Sequence, residues 1–140
     1  MITYLDSSVI LRRILNQPNQ LAEWPAITAG VTSALAEVEC LRTLDRLRTE
    51  RALAEAEIAP RREAVAALLR SVDIVGTTRV VLTRAAQPLP TPLGTLDAIH
   101  LATAILWQER MATRLVLASH DRALARAARA LGLSVIGDPG

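Results

Sequence analysis

The chain has 140 residues, about the length of one domain, and 51% of them are apolar, so long disorder is excluded and a sizeable core is available. Its net charge is +2, and it carries no block of like charges, so it tolerates a phosphate-rich partner but has no basic tail. With no Phe, one Tyr and two Trp, a base-stacking platform has little support, and Leu and Ala must supply most of the core.

Residues 2–5 form a short apolar run that reads as a buried strand, ended by Asp6, Ser7 and Ser8, with an apolar helix over about 9–15. Residues 16–25 read as a turn with a short helix, and 27–32 as a strand. Thr32 or Ser33 can cap a long helix over about 34–54. Ile58, Ala59 and Pro60 predict a break, with Pro60 opening a second helix to Leu69, so that the two helices make a hairpin. Residues 72–75 read as a strand, and Thr77 or Thr78 caps a helix reaching about Ala86. Three Pro and one Gly in the nine residues QPLPTPLGT predict a stiff loop. Thr95 is placed as the cap of a helix over 96–107. A strand over 115–118, a helix over 122–131 stopped by Gly132, and a strand over 133–136 complete the chain. Strands alternating with helices predict an α/β fold over residues 1–140 as one domain, with a central, mostly parallel sheet of four or five strands flanked by helices.

The single Cys40 lies in an apolar-periodic segment and reads as a buried free thiol. Cys/His metal-ligand spacing is absent. No run of 18 apolar residues occurs and no cleavable leader is recognisable at the start, so a cytoplasmic protein with no membrane span is expected.

Four acidic residues fall where functional loops belong. Asp6 follows the first strand and Asp121 the strand LVLA, and ligands of open parallel sheets gather outside the carboxyl ends of strands. Asp97 opens a helix that is polar only at Asp97, His100, Thr103 and, at its start, Thr95; such a helix is buried, and a buried carboxylate needs a partner. Glu39 lies one turn into the long helix, beside Val38 and Leu41, which read as buried. Bland roles compete. Asp6 and Asp121 can be helix caps, and Glu39 can pair with Arg42 or Arg46 on the surface. Taken together, several carboxylates in one place repel one another unless a cation neutralises them. Oxygen ligands suit Mg2+ or Mn2+, and a divalent ion beside phosphate supports hydrolysis by activated water. A response-regulator-like domain also places acids at strand ends, but it would use a Lys, and the chain has none. A non-catalytic interaction module, whose acids are caps and surface pairs, is the remaining alternative.

The segments YLDSS around Asp6, TSALAEVECLR around Glu39, TLDAIHLATA around Asp97 and LVLASHDRALARAARALGL around Asp121 occur in an order that resembles the PIN-domain ribonucleases, more narrowly the VapC toxins of toxin–antitoxin pairs. The resemblance spans Tyr4 to Leu133. It implies a PIN-like fold and an endoribonuclease in which Asp6, Glu39, Asp97 and Asp121 bind one or two Mg2+ or Mn2+ ions. Ser7 or Ser8, and Ser119, match the family's hydroxyl positions. It also implies a homodimer and a VapB-type antitoxin clasped by the helical hairpin and inserted near the acidic groove. Ser119-His120-Asp121 departs from the commoner pattern before the fourth acid, which puts His120 beside the site, either as a bystander or as a phosphate or water contact. His100, three residues after Asp97, either approaches the groove or packs. Arg12 and Arg42 are the candidate phosphate contacts, since guanidinium matches phosphate bidentately.

Overall fold

The short apolar run at residues 2–5 becomes a strand buried on both faces. In β1 (Ile2–Leu5) Thr3 and Tyr4 are fully buried and Leu5 is nearly so. Successive side chains of a strand point to opposite faces, so Tyr4 and Leu5 seed two different cores. A computed structural model describes residues 1–138.

After β1 come helix α1 (Ser7–Ile14), a 3-10 turn at Trp24–Ala26, and β2 (Ala29–Ser33). Helices α2 (Leu35–Thr49) and α3 (Glu55–Arg70) form the hairpin and lead to β3 (Asp73–Val75). Then follow α4 (Arg79–Ala85), α5 (Thr95–Met111), β4 (Val116–Ala118), α6 (Arg122–Ala130) and β5 (Ser134–Ile136). The five strands make one sheet in the order β3-β2-β1-β4-β5, and every neighbouring pair is parallel. The fold class is the α/β architecture expected.

Helices cover both faces of the sheet. On one, Leu5 and Ala118 meet Val9, Ile10 and Ile14 of α1, Ala36, Cys40 and Leu44 of α2, and Val65 and Leu69 of α3. On the other, Tyr4, Val31 and Leu117 meet Leu101 and Ala104 of α5 and Leu124, Ala127 and Ala128 of α6. The alanines let helices approach closely where bulky aromatics are lacking. Helix α4 packs on α5 through Val81, Ile99 and Ala102, which leaves α5 buried on nearly every side. Gly30 of β2 permits a close approach, because a Cβ there would meet Val72 Cγ1 at 2.7 Å.

Several boundaries differ from those read in the sequence. Helix α2 ends at Thr49, and α3 begins at Glu55 with Pro60 inside it, so the break falls one turn earlier than the proline suggested. A proline in the second turn removes one helical hydrogen bond; Val65 and Leu69 in the core and the bond from Arg61 Nη1 to the Ile14 carbonyl (2.7 Å) hold the helix regardless. Gly94, not Thr95, is the N-cap of α5, and that helix continues past Trp107 to Met111, where Arg84 of α4 pairs with Glu109 at 2.8 Å. Val38 is 57% exposed, and Ala36, Cys40 and Leu44 carry the buried face of α2 instead. Cys40 is buried as expected; burial and then the charges of Glu39 and Asp6 push its thiol up to about 12, so it is inert.

Candidate active site

The chain passes from β1 to β2 and β3 on one side of the sheet, whereas β4 and β5 lie on the other. The strand order therefore reverses between β1 and β4, and the crevice outside their carboxyl ends is where open α/β sheets take ligands. Asp6 stands at that end of β1, its backbone N–H donating to the Ala118 carbonyl of β4 at 3.1 Å. Its side chain is 4% exposed and does not cap α1. Instead Oδ2 accepts from Ser8 Oγ at 2.6 Å and from Ser119 Oγ at 2.9 Å. Ser119 Oγ in turn accepts from the Asp121 N–H at 3.0 Å, and Ser8 Oγ from the His120 N–H at 2.9 Å. Both hydroxyl candidates after Asp6 are used, since Ser7 Oγ donates to Glu39 Oε1 at 2.6 Å.

Glu39 makes no surface pair. Arg42 bonds Asp45 and Arg46 bonds Glu50, while Glu39 Oε1 takes His100 Nε2 at 2.5 Å. His100 is fully buried on α5, its Nδ1 sits 2.6 Å from the Tyr4 hydroxyl, and its Nε2 lies 3.7 Å from Asp6 Oδ1. Burial favours the neutral ring, but the Glu39 hydrogen bond and the charges of Asp6, Glu39 and Asp97 outweigh it and raise the imidazole's pKa. Burial would likewise raise Glu39, yet the bonds from His100 and Ser7 hold it below the usual range. Burial and the Asp6 and Glu39 charges keep Tyr4 protonated.

Asp121 is the cap of α6: Oδ1 accepts from the Leu124 N–H at 2.9 Å. The bland reading of that residue thus holds, and the site shares it. Asp97 has no hydrogen bond of its own. Burial, then the charges of Asp121, Asp6 and Glu39, push its pKa up to about 6 against a weaker opposing effect of His100. Asp97 therefore feels the other three carboxylates across the crevice.

One regularity bears on what they could hold. The protein's hydrogen bonds to Asp6 fall on Oδ2 alone, those to Glu39 on Oε1 alone, and that to Asp121 on Oδ1. Among the described residues each keeps its other oxygen free of protein hydrogen bonds, with His100 Nε2 3.7 Å from Asp6 Oδ1, and none of these oxygens is sealed from solvent. Hard oxygen donors, excess negative charge and solvent access match a divalent cation of the Mg2+ type. Among the described residues, no three carboxylate, imidazole or thiol groups already stand as a ready-made metal cage. Glu39 leans toward His100 and Asp6 toward its serines, and mutual repulsion opposes closer approach.

The candidate phosphate contacts stay apart from this cluster. Arg12 Nη1 bonds the Asn19 carbonyl at 3.2 Å and Arg42 bonds Asp45 at 3.1 Å, so neither guanidinium touches the acids. His120 ties the end of β4 to the chain after β5 through Nδ1 and the Gly137 carbonyl, 2.7 Å apart. The residue whose place sequence reasoning left open is His100, and the one it missed is Tyr4. The signal for His100 was present: Asp97, His100 and Thr103 recur every three residues on an otherwise apolar helix.

The sequence matches the family model of the PIN domain over residues 3–130. The chain belongs to the PIN domain family. This PIN domain is 36% identical over 137 residues to Ribonuclease VapC46 of Mycobacterium tuberculosis, covering 95% of each chain. It is 35% identical over 140 residues to Ribonuclease VapC35 of the same organism, covering 95% of this chain and 94% of that one. Among solved structures, VapBC2 from Rickettsia felis, bound to a DNA fragment from their promoter, superposes with a TM-score of 0.67 over 96% of this PIN domain and 97% of that chain. At 11% identity that likeness shows the shared fold. Among the described residues, no helix is long and apolar enough to cross a membrane.

Proposed function

We propose that the chain is a Mg2+- or Mn2+-dependent endoribonuclease that hydrolyses RNA phosphodiester bonds, acting as the toxin of a toxin–antitoxin pair. The observation that carries this reading is the approach of four carboxylates at the sheet's reversal point, where burial and then the charges of Asp121, Asp6 and Glu39 push Asp97 up to about 6. The ribonucleases it matches and the toxin–antitoxin fold it shares support the reading.

Asp6 Oδ1, Glu39 Oε2, Asp97 and the second oxygen of Asp121 are the groups that would hold the ion. When bound, a divalent ion supplies charge neutralisation at a phosphoryl oxygen and lowers the pKa of water. The chain's own part is positioning. Ser8 and Ser119 fix the Asp6 carboxylate from one side, Ser7 and His100 fix Glu39, and the α6 N-terminus fixes Asp121. Asp97, raised to about 6, is left as an acid that gives up its proton only as pH approaches neutrality. A VapB-type antitoxin is the proposed partner and RNA the substrate. The non-catalytic alternative explains the Asp121 cap but leaves the buried, serine-bonded Asp6 and the His100-bonded Glu39 without a purpose.

The test is RNA cleavage by the purified, antitoxin-free chain in Mg2+, Mn2+ or EDTA, alongside Asp6→Asn and Asp97→Asn. Metal-dependent cutting that disappears in both folded variants is expected. Cleavage indifferent to EDTA, or full activity in both variants, refutes the reading.

A further inference from the structure

We infer that His100, braced by Tyr4, is a positioning residue that sets the orientation of Glu39 toward the bound ion. This rests on the metal-dependent reading above and concerns a pair of residues outside the four acids.

Three elements meet in this unit. Tyr4 comes from β1, Glu39 from α2 and His100 from α5, and they connect in a line: the Tyr4 hydroxyl lies 2.6 Å from His100 Nδ1, and His100 Nε2 lies 2.5 Å from Glu39 Oε1. Tyr4 and His100 are completely buried, whereas the Glu39 side chain is 21% exposed, so the line runs from the core outward to the crevice. The aromatic ring and the imidazole also meet edge to face, 74° apart with centroids at 5.8 Å, which fixes the imidazole plane. A buried ring held at both nitrogens has one orientation. Its Nε2 bond, with that of Ser7, occupies the same Glu39 oxygen and leaves the other without a protein donor.

Without that constraint, a glutamate on the flank of α2 would relax toward water and away from three other negative groups. An apolar residue would have packed the space around His100 equally well. A buried imidazole that instead reaches a carboxylate is the outer-shell arrangement that orients ligands in metal sites. His100 itself is sealed from solvent, so it touches neither RNA nor water.

Mn2+ affinity of the metal-free chain, read by calorimetry, tests this together with RNA cleavage kinetics at rising Mn2+. His100→Met removes the donor at similar volume, Tyr4→Phe removes only the brace, and His100→Gln keeps an amide N–H for Glu39. Expected are a loss of Mn2+ affinity of about 10- to 100-fold in His100→Met and of about fivefold in Tyr4→Phe. His100→Gln should recover most of the affinity. The lower kcat of His100→Met should climb back as Mn2+ is raised, with KM for RNA unchanged. Wild-type affinity in a folded His100→Met protein overturns the inference while leaving the ribonuclease reading intact. If His100→Met does not fold, unaltered affinity in Tyr4→Phe overturns it. Equal losses in His100→Met and His100→Gln overturn it too, since the hydrogen bond would then be irrelevant. A wild-type chain that takes up no Mn2+ overturns the ribonuclease reading and this one with it.

Discussion

Replacing Asp97 with Asn should stabilise the metal-free protein at pH 7.5 and weaken it, relative to wild type, once magnesium is present. The carboxyl's pKa rises from 3.8 in the unfolded chain to about 6 in the fold, so the folded state holds the proton more tightly. Stability is then greatest below about pH 4, falls as pH climbs through 6, and stays low above it. At 1.36 kcal/mol per pH unit that shift amounts to about 3 kcal/mol. Solvent screening at a half-exposed carboxylate reduces it to about 1–2 kcal/mol. Losing a favourable first-turn charge costs about 0.5 kcal/mol in the other direction. Asp97 has no hydrogen bond to forfeit, so the net gain is about 1 kcal/mol, or about 3–5 °C in Tm for a domain of this size. Saturating Mg2+ stabilises only a chain that binds it, by about 2.7 kcal/mol at a hundred times Kd. The order of the two melting curves should therefore invert. Differential scanning fluorimetry at pH 4 and 7.5, in EDTA and in Mg2+, reads all four conditions. An Asn variant that melts below wild type in EDTA at pH 7.5, or keeps its advantage at pH 4, would show that burial and the neighbouring acids do not raise Asp97 here.

Three further outcomes are expected. Ser119→Ala removes a donor to Asp6 and an acceptor for the Asp121 N–H, and should cost about 1–3 kcal/mol in urea unfolding. Gly30→Ala pushes a methyl against Val72 Cγ1 at 2.7 Å, and chemical denaturation should show a loss of about 1–3 kcal/mol. The stability contributed by the Glu39–His100 pair is lost at both ends of the pH scale. It fades as pH falls through the lowered Glu39 pKa and as pH rises through the raised His100 pKa, so His100→Gln should flatten the pH–stability curve on its alkaline side.

Strand positions and helix alternation were legible because short apolar runs and strong turn chemistry agree in this chain; β1 and the loop after α4 are the clearest cases. The start of α3 was not, since Pro60 punctuates the sequence more loudly than the packing of Val65 and Leu69, which lies far off along the chain. Asp6 and Asp121 were legible as strand-end acids. Glu39 was chosen on a wrong premise: Val38 faces solvent, and what distinguishes Glu39 is a histidine 61 residues away. Burial patterns on one helix cannot announce a partner on another. Nothing in the sequence announced that local acceptors would engage Arg12 and Arg42.

The all-parallel order of the strands sets when the crevice can exist. Asp6 is bonded to Ser119 across 113 positions of sequence, and the helix bearing His100 and the strand leading to Ser119 come late. Contacts of such range assemble slowly and last. A chain still emerging from the ribosome carries Asp6 early but has nothing to set it against. Until Ser119 and His100 have been made, Asp6 lacks one of its two serine donors and Glu39 its imidazole, so the crevice is completed only when elements far apart along the chain have met.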